Sequence, residues 1–228
     1  MDDTKETKSF AYEQLSRIGK AMSSPSRLEI LDLLRNGPRT VESLANAANM
    51  GVANVSRHLQ VLRAANLVTS DKNGLFVTYQ VADQSVCAFF MAMCQLAEAR
   101  LVEFEKIIGR FSGEDGDMEP VDREVLMKRA KNGEVAIIDV RPNEEYQAAH
   151  IPGAVSIPVD EIEYHLEKLS PENEIVAYCR GPYCLLATKA VKLLCSKGFR
   201  ARRIKDGVIE WRACGMPIET GDFAPKTS

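Results

Sequence analysis

Long apolar runs are missing from this chain of 228 residues, so no stretch of it is suited to cross a bilayer as a helix. The opening residues, Met1-Asp2-Asp3-Thr4-Lys5-Glu6, have neither the basic nor the apolar region of a secretory signal, and a cytoplasmic location is expected. Histidine is scarce, at three residues, and no two of the six cysteines stand at zinc-finger spacing; neither a metal nor another cofactor is expected. The cysteines are scattered through a chain with ample core material, and a reducing compartment would keep them as thiols. An excess of either charge is lacking too, since the net charge is only −3, which is no global signature of nucleic-acid binding. Up to Ser112 there are 13 Lys and Arg against 12 Asp and Glu, and beyond it 16 against 20. A near-neutral front part can still read DNA when its basic residues share one face, because phosphate contacts are local. What is present, 45% hydrophobic and 27% charged residues, is soluble globular protein, long enough for two ordinary domains.

The most informative stretch is Ile175-Val176-Ala177-Tyr178-Cys179-Arg180-Gly181-Pro182-Tyr183-Cys184, followed by a helix-forming run from Leu185 to Leu194. A buried-type strand ends on a cysteine, a Gly/Pro loop follows, and a helix takes over. A thiol at such a junction sits among loop and first-turn amides that point inward without partners and stabilise a thiolate or a bound anion. Arg180 adds a positive charge beside Cys179 that favours the thiolate and attracts an anionic substrate. A phosphatase or arsenate-reductase loop needs Cys, five residues, then Arg; position 185 is Leu, and Tyr178 stands where those enzymes have His, which disfavours that reading. The loop context also disfavours Cys179 as one more small buried residue.

At these residues the chain resembles a rhodanese domain, a sulfurtransferase fold whose active cysteine opens a six-residue loop, here Cys179 to Cys184. Asp139-Val140-Arg141 with Glu145-Tyr146, His150-Ile151-Pro152-Gly153-Ala154, and Asp206-Gly207 with Trp211 extend the resemblance over the last hundred residues. Two residues depart from the family pattern: Ala149 replaces a Gly, and Pro182 removes one loop amide. The resemblance implies a Cys179 persulfide, with Arg180, Gly181, Tyr183 and Cys184 as the substrate-binding loop and their amides stabilising the charge. Its partners would be a sulfur donor (thiosulfate, a polysulfide or a persulfide) and an acceptor thiol. Cys184 is either that first acceptor or a small residue at a helix start. Asp139 and Arg141 read as an ion pair holding the loop framework, while His150, Gly207, Trp211, Cys195 and Cys214 read as structural or inert.

In the front part, the first eight residues are polar and expected to fray, and Phe10, Leu15, Ile18 and Met22 recur at helical spacing. Ser23-Ser24-Pro25-Ser26 opens a second helix that carries Leu28, Ile30, Leu31, Leu33 and Leu34 and stops at Asn36-Gly37-Pro38. Thr40 reads as the N-cap of a short helix with Val41, Leu44, Ala45 and Ala48 as its apolar face. After the turn Asn49-Met50-Gly51, a helix from Val52 to Ala65 turns Val55, Leu59 and Leu62 inward and Asn54, Ser56, Arg57 and Gln60 outward. Those outward side chains suit base edges and phosphates. His58, beside the inner stripe, is either half-buried or a DNA contact, and Lys72 is a phosphate contact or simply solvated. Leu67 to Ser70 and Leu75 to Val81, separated by Asp71-Lys72-Asn73-Gly74, predict a hairpin, so the pattern is a winged helix-turn-helix.

Ser26-Arg27-Leu28, Val55-Ser56-Arg57-His58-Leu59, Leu62-Arg63 and Leu67-Val68, with Gly74 and Tyr79 in the wing, make this part similar to ArsR-type bacterial regulators; Asn66 replaces the usual Gly. The resemblance implies a homodimer on double-stranded operator DNA. The apolar helix expected from Asp83 to Arg110 supplies a partner surface, with Cys87 and Cys94 packed in the dimer core.

Two domains follow: a mainly helical winged-helix domain over 1–111, a mobile linker over 112–119, and an α/β rhodanese-like domain over 120–222 with a parallel sheet covered by helices. Together they point to a transcriptional regulator, taken as a repressor, tied to reactive sulfur or redox state. The alternative is a sulfurtransferase whose helical domain serves only for dimerisation.

Overall fold

Proline and capping residues set the helix boundaries at the front of the chain. The computed structural model describes residues 3–73, 76–104, 106–107, 122–170 and 172–221. The chain divides into two compact units that part between Gln95 and Leu96. Its first helices are α1 (Asp3–Met22), α2 (Pro25–Arg35), α3 (Val41–Ala47) and α4 (Val52–Ala64). Pro25 opens α2, where a missing amide hydrogen has no cost. The Thr40 hydroxyl accepts from the Ser43 amide at 3.2 Å and starts α3. The sharp exits after α3 and α4 use positive φ at Asn49 (50°) and Asn66 (56°), a region that Asn visits more readily than other side chains. Asn66 can therefore stand where glycine would otherwise be required.

The wing has three strands in the order β1-β3-β2: β1 (Arg39–Thr40), β2 (Val68–Asn73) and β3 (Phe76–Val81), all antiparallel. Three expectations change here. Strand β1 is too short to show periodicity and is defined only by pairing Arg39 with Tyr79 and Thr40 with Thr78. The β2 strand runs through Asp71 and Lys72 to pair Asn73 with Phe76, so the connection falls on residues 74 and 75, outside the described residues. At the start, α1 begins at Asp3, where fraying was expected.

The core of this unit is built from Ile30, Leu31, Leu34, Leu44, Val55, Leu59 and Leu62, every one fully buried or nearly so. Phe10 and Leu15 do not join it: they are 62% and 66% exposed, and of the predicted stripe on α1 only Met22 is buried, with Ile18 partly so. Helix α5 (Gln84–Arg100) contributes Val86 and Phe90 to the core and leaves Phe89 exposed; the helix expected to reach Arg110 is interrupted at Leu101, residues 102–104 and 106–107 are helical again, and 108–110 lie outside the described residues. Cys87 and Cys94 are half-buried on it. The expected linker, 112–119, lies outside the described residues.

In the second unit four parallel strands run in the order β5-β4-β6-β7: β4 (Val135–Asp139), β5 (Val155–Ser156), β6 (Glu174–Tyr178) and β7 (Ala201–Arg203). Helices α6 (Arg123–Lys131), α7 (Asn143–Ala148), α8 (Ile162–His165), α9 (Leu186–Ser196) and α10 (Val208–Ala213) connect and cover them. The helix expected from Ile162 to Leu169 is a single α turn flanked by 3-10 turns. Alternate strand residues face opposite layers, so Val176 and Tyr178 join Trp211 and Leu126 on one side, and Ile175, Ala177 and Cys179 meet Ala187, Ala190 and Leu194 of α9 on the other. The all-parallel α/β sheet is as expected, and the carboxyl ends of its central strands form the edge on which such folds place their ligands.

Asp139, at the end of β4, and Arg141 are fully buried and form the anticipated ion pair, Nη2 to Oδ2 at 2.6 Å, while Arg141 Nη2 also donates to the Ala149 carbonyl at 2.7 Å. Truncating one partner strands a charge in the interior. Asp139→Ala is expected to lower the unfolding free energy in urea by about 3–5 kcal/mol; a loss below about 1 kcal/mol would show that the pair does not hold this edge together.

Candidate functional site

The carboxyl end of β6 delivers Cys179, and the chain turns through Arg180 to Leu185 before α9 begins at Leu186. Gly181 holds φ at +134°, a value open to glycine and strained for other residues. The Cys184 amide donates to the Gly181 carbonyl at 3.2 Å, closing a tight turn. Gly207, at the start of α10, presses against this loop: a Cβ there would lie 2.5 Å from the Arg180 carbonyl carbon, 2.6 Å from its oxygen and 2.8 Å from the Cys179 oxygen. The glycine of the Asp206-Gly207 pair is thus demanded by a backbone-on-backbone contact with the cysteine loop. Asp206 is fixed by Arg123 at 2.6 Å, and the Gly207 amide donates to Glu210 at 3.0 Å.

Two thiols meet in the loop. Cys179 is 2% exposed and Cys184 is half-buried. The Cys179 thiol is hydrogen-bonded to Cys184, which together with burial pushes its pKa well up, against the amides of Gly181 and Ala187. That same hydrogen bond draws Cys184 down; burial opposes it, and the amides of Arg180 and Leu186 and the Arg180 charge assist it. The hydrogen bond between the two sulfurs thus favours the proton on Cys179 and the charge on Cys184.

Amide donors face both sulfurs, those of Gly181 and Ala187 at Cys179 and those of Arg180 and Leu186 at Cys184. The inward amides were expected from Arg180, Gly181, Tyr183 and Cys184; those of Leu186 and Ala187 replace the last two, because the Cys184 amide is used in the turn. Arg180 was expected to place its positive charge beside the sulfur; its guanidinium lies on the buried Glu145, with Nη2 to Oε1 at 2.6 Å and Nε to Oε2 at 3.0 Å, and its charge still favours an ionised Cys184. Tyr183 is half-buried in the loop.

The residues read as structural hold the surroundings. His150 is fully buried, stacked on Tyr146 with ring centres 3.8 Å apart, and its Nδ1 lies 2.9 Å from the Tyr146 carbonyl. Tyr178 accepts from the Ile151 amide at 3.1 Å, and Trp211 donates to the Pro217 carbonyl at 3.0 Å. Cys195 and Cys214 are exposed. Among the described residues, no group of three or more His, Cys, Asp and Glu side chains is placed to hold a metal ion.

A second candidate surface belongs to α4. With Val55, Leu59 and Leu62 buried beneath it, Asn54, Arg57 and Gln60 are exposed, while Ser56 and His58 are half-buried at its flanks. Lys72 is exposed on β2. The outward set carries amide and guanidinium groups that suit base edges and phosphates.

Thiolates are the reactive form, so a lowered pKa moves half-maximal alkylation to lower pH. Iodoacetamide is expected to label Cys184 before Cys179, with a midpoint below that of an ordinary free thiol, and Cys179→Ala should raise that midpoint by removing the hydrogen bond. A midpoint at or above the free-thiol range would contradict the charge order. Gly207→Ala must move backbone and is expected to cost about 1–3 kcal/mol in urea and to change the alkylation rate of both thiols. Gly19→Ala, with nothing within 4 Å, serves as the control that leaves the thiols unchanged.

Comparison with known proteins bears on both halves. Residues 24–70 match the bacterial regulatory protein arsR family, and residues 122–214 match the rhodanese-like domain. The HTH-type transcriptional regulator Rv0324 of Mycobacterium tuberculosis is 38% identical over 94% of this chain and 94% of its own length. The HTH-type transcriptional regulator NmtR of the same organism is 42% identical over 34% of this chain and 65% of its own. The adenylyltransferase and sulfurtransferase UBA4 of Meyerozyma guilliermondii is 36% identical over 36% of this chain and 21% of its own. The match to Rv0324 spans nearly the full length of both chains and includes both matched segments, and the chain belongs to the ArsR family of transcriptional regulators, in a form that carries a C-terminal rhodanese-like domain.

Proposed function

We propose that this chain is a repressor that binds operator DNA as a homodimer through its helical domain, residues 1–111, and takes up sulfane sulfur on Cys179 in its rhodanese-like domain, residues 120–222. The coupling of transcription to reactive sulfur follows if the modified loop has different free energies in the DNA-bound and free states. What supports the reading most is the hydrogen-bonded thiol pair in the loop at the carboxyl end of β6, with amides of the loop and of the first turn of α9 turned toward it. The exposed Asn54, Arg57 and Gln60 on α4, with Ser56, His58 and Lys72 beside them, support the DNA surface. Exposed Phe10 and Leu15 on α1 and Phe89 on α5 support a dimer, since an apolar surface of this kind suits a partner.

In this reading Cys179 attacks the outer sulfur of thiosulfate, a polysulfide or a persulfide as its proton passes to the Cys184 thiolate. A new S–S bond forms, the donor's own S–S bond breaks, and the electron pair leaves on sulfite or on the donor thiolate. The product is a Cys179 persulfide anion facing the Gly181 and Ala187 amides. An acceptor thiol then takes the outer sulfur. Alternatively the Cys184 thiol attacks the inner sulfur, forming a Cys179 to Cys184 disulfide and releasing hydrosulfide with the Cys184 proton. A second reading is favoured by exposure and charge: Cys184, the more accessible sulfur, meets the donor first and passes its sulfur inward.

Mass spectrometry of the full chain after exposure to a polysulfide, paired with operator binding of wild type and Cys179→Ser, tests these readings. One added sulfur on Cys179 and an operator response lost in Cys179→Ser are expected. Added sulfur retained on Cys184 in that variant would favour the second reading. An unchanged operator response in Cys179→Ser would remove the coupling, and no operator binding under any condition would leave a sulfurtransferase whose helical domain only dimerises.

A further inference from the structure

Arg180 is paired with Glu145 as well as drawn to the two sulfurs, and a second guanidinium, that of Arg203 at the end of β7, is buried near the same loop. Arg203 pairs with Ala177 in the β6–β7 register, and Cys179 follows Ala177 by two residues, so all three side chains leave the same face of the sheet. That face is covered by α9, whose first turn begins two residues after Cys184. Arg203 is 2% exposed, and its Nη1 donates to the Thr188 hydroxyl in that turn at 2.5 Å. A guanidinium is thereby enclosed between the sheet and the start of the helix that follows the thiol loop, on the side of the sheet whose apolar cluster includes Ile175, Ala177, Ala187 and Ala190.

We propose that Arg203 is a positioning charge of the thiol pair, holding the Cys184 thiolate and, on the sulfur-uptake reading above, the Cys179 persulfide anion. Placement in an apolar layer gives its charge greater reach than a surface arginine has. Burial draws the pKa of Arg203 down, and the two groups that draw it up are Cys179 and Cys184. Attraction between a guanidinium and an ionised sulfur is mutual, and Arg203 would add to the charge that Arg180 already brings to Cys184. The other charged groups at the loop are Arg180, paired with Glu145 and also drawn to the sulfurs, and Glu210, whose Oε2 would lie 3.0 Å from a Cβ placed on Gly181. Thr188 aims the guanidinium, and its hydroxyl can do so without adding charge.

The test compares full-length wild type, Arg203→Met, Arg203→Lys and Thr188→Val for the pH profile of thiol alkylation and for sulfur gained from a polysulfide, with thermal unfolding as the measure of fold. Arg203→Met is expected to move the alkylation midpoint up by about one pH unit and to slow sulfur uptake below that midpoint about tenfold. Arg203→Lys should restore most of the shift, a rescue that a purely packing role would not give. Thr188→Val should move the midpoint in the same direction by less, and it carries the test if Arg203→Met fails to fold. An unmoved midpoint in a folded Arg203→Met protein, or in Thr188→Val where Arg203→Met does not fold, overturns the assignment. If wild type gains no sulfur while the midpoints shift as stated, the sulfur-uptake reading falls and the role of Arg203 in thiol ionisation stands. If wild type gains sulfur and the variants match it in rate and pH profile, Arg203 alone is excluded.

Discussion

The thiol loop owes its shape to a contact between two stretches of backbone. Gly207 lies against the carbonyls of Cys179 and Arg180 at distances that leave no room for a side chain. From the other side, Glu145 holds the Arg180 guanidinium, and Arg141, locked to Asp139, holds the Ala149 carbonyl. The amides of the loop and of the first turn of α9 are therefore oriented before any ligand arrives, and no reorganisation is needed when negative charge forms on sulfur. A parallel sheet supplies the rigidity behind this arrangement, because β6 is paired along its length with β4 on one side and with β7 on the other.

Within that frame, charge is distributed in a way that simple adjacency does not show. Arg180 is next to Cys179 in the chain but turns to a carboxylate, since a buried Glu145 left alone would be costly. The hydrogen bond between the two thiols, with two amides at each sulfur, favours the proton on Cys179 and the charge on Cys184. The two sulfurs are brought together, five residues apart in the chain, by the Gly181 turn.

The sequence was most legible where one residue's chemistry forces a local shape. Pro25, the Thr40 cap, Asn66 in place of glycine, and the inward Val55, Leu59 and Leu62 of α4 all read through directly. The all-parallel sheet and the position of Cys179 at a strand end followed from unbroken apolar runs alternating with helices. Features set by tertiary partners did not read through. The two-residue strand β1 exists only because β3 lies beside it, and Phe10 and Leu15 share helical spacing with Ile18 and Met22 without facing the core of their own chain. At the site, the loop cysteines were evident, but the partners of Arg180 and the face of Arg203 depend on strand register, which a single sequence does not display.

Cys179 differs from an ordinary reactive cysteine in being 2% exposed. Peroxide converts thiolates stepwise to sulfenic, sulfinic and sulfonic acids, and the later steps are not undone by thiols. A buried sulfur whose ionisation is disfavoured is a poor target for that sequence, whereas Cys184, half-buried and drawn toward the thiolate, is an easier one. Damage at the loop therefore begins at the residue that is easier to reach.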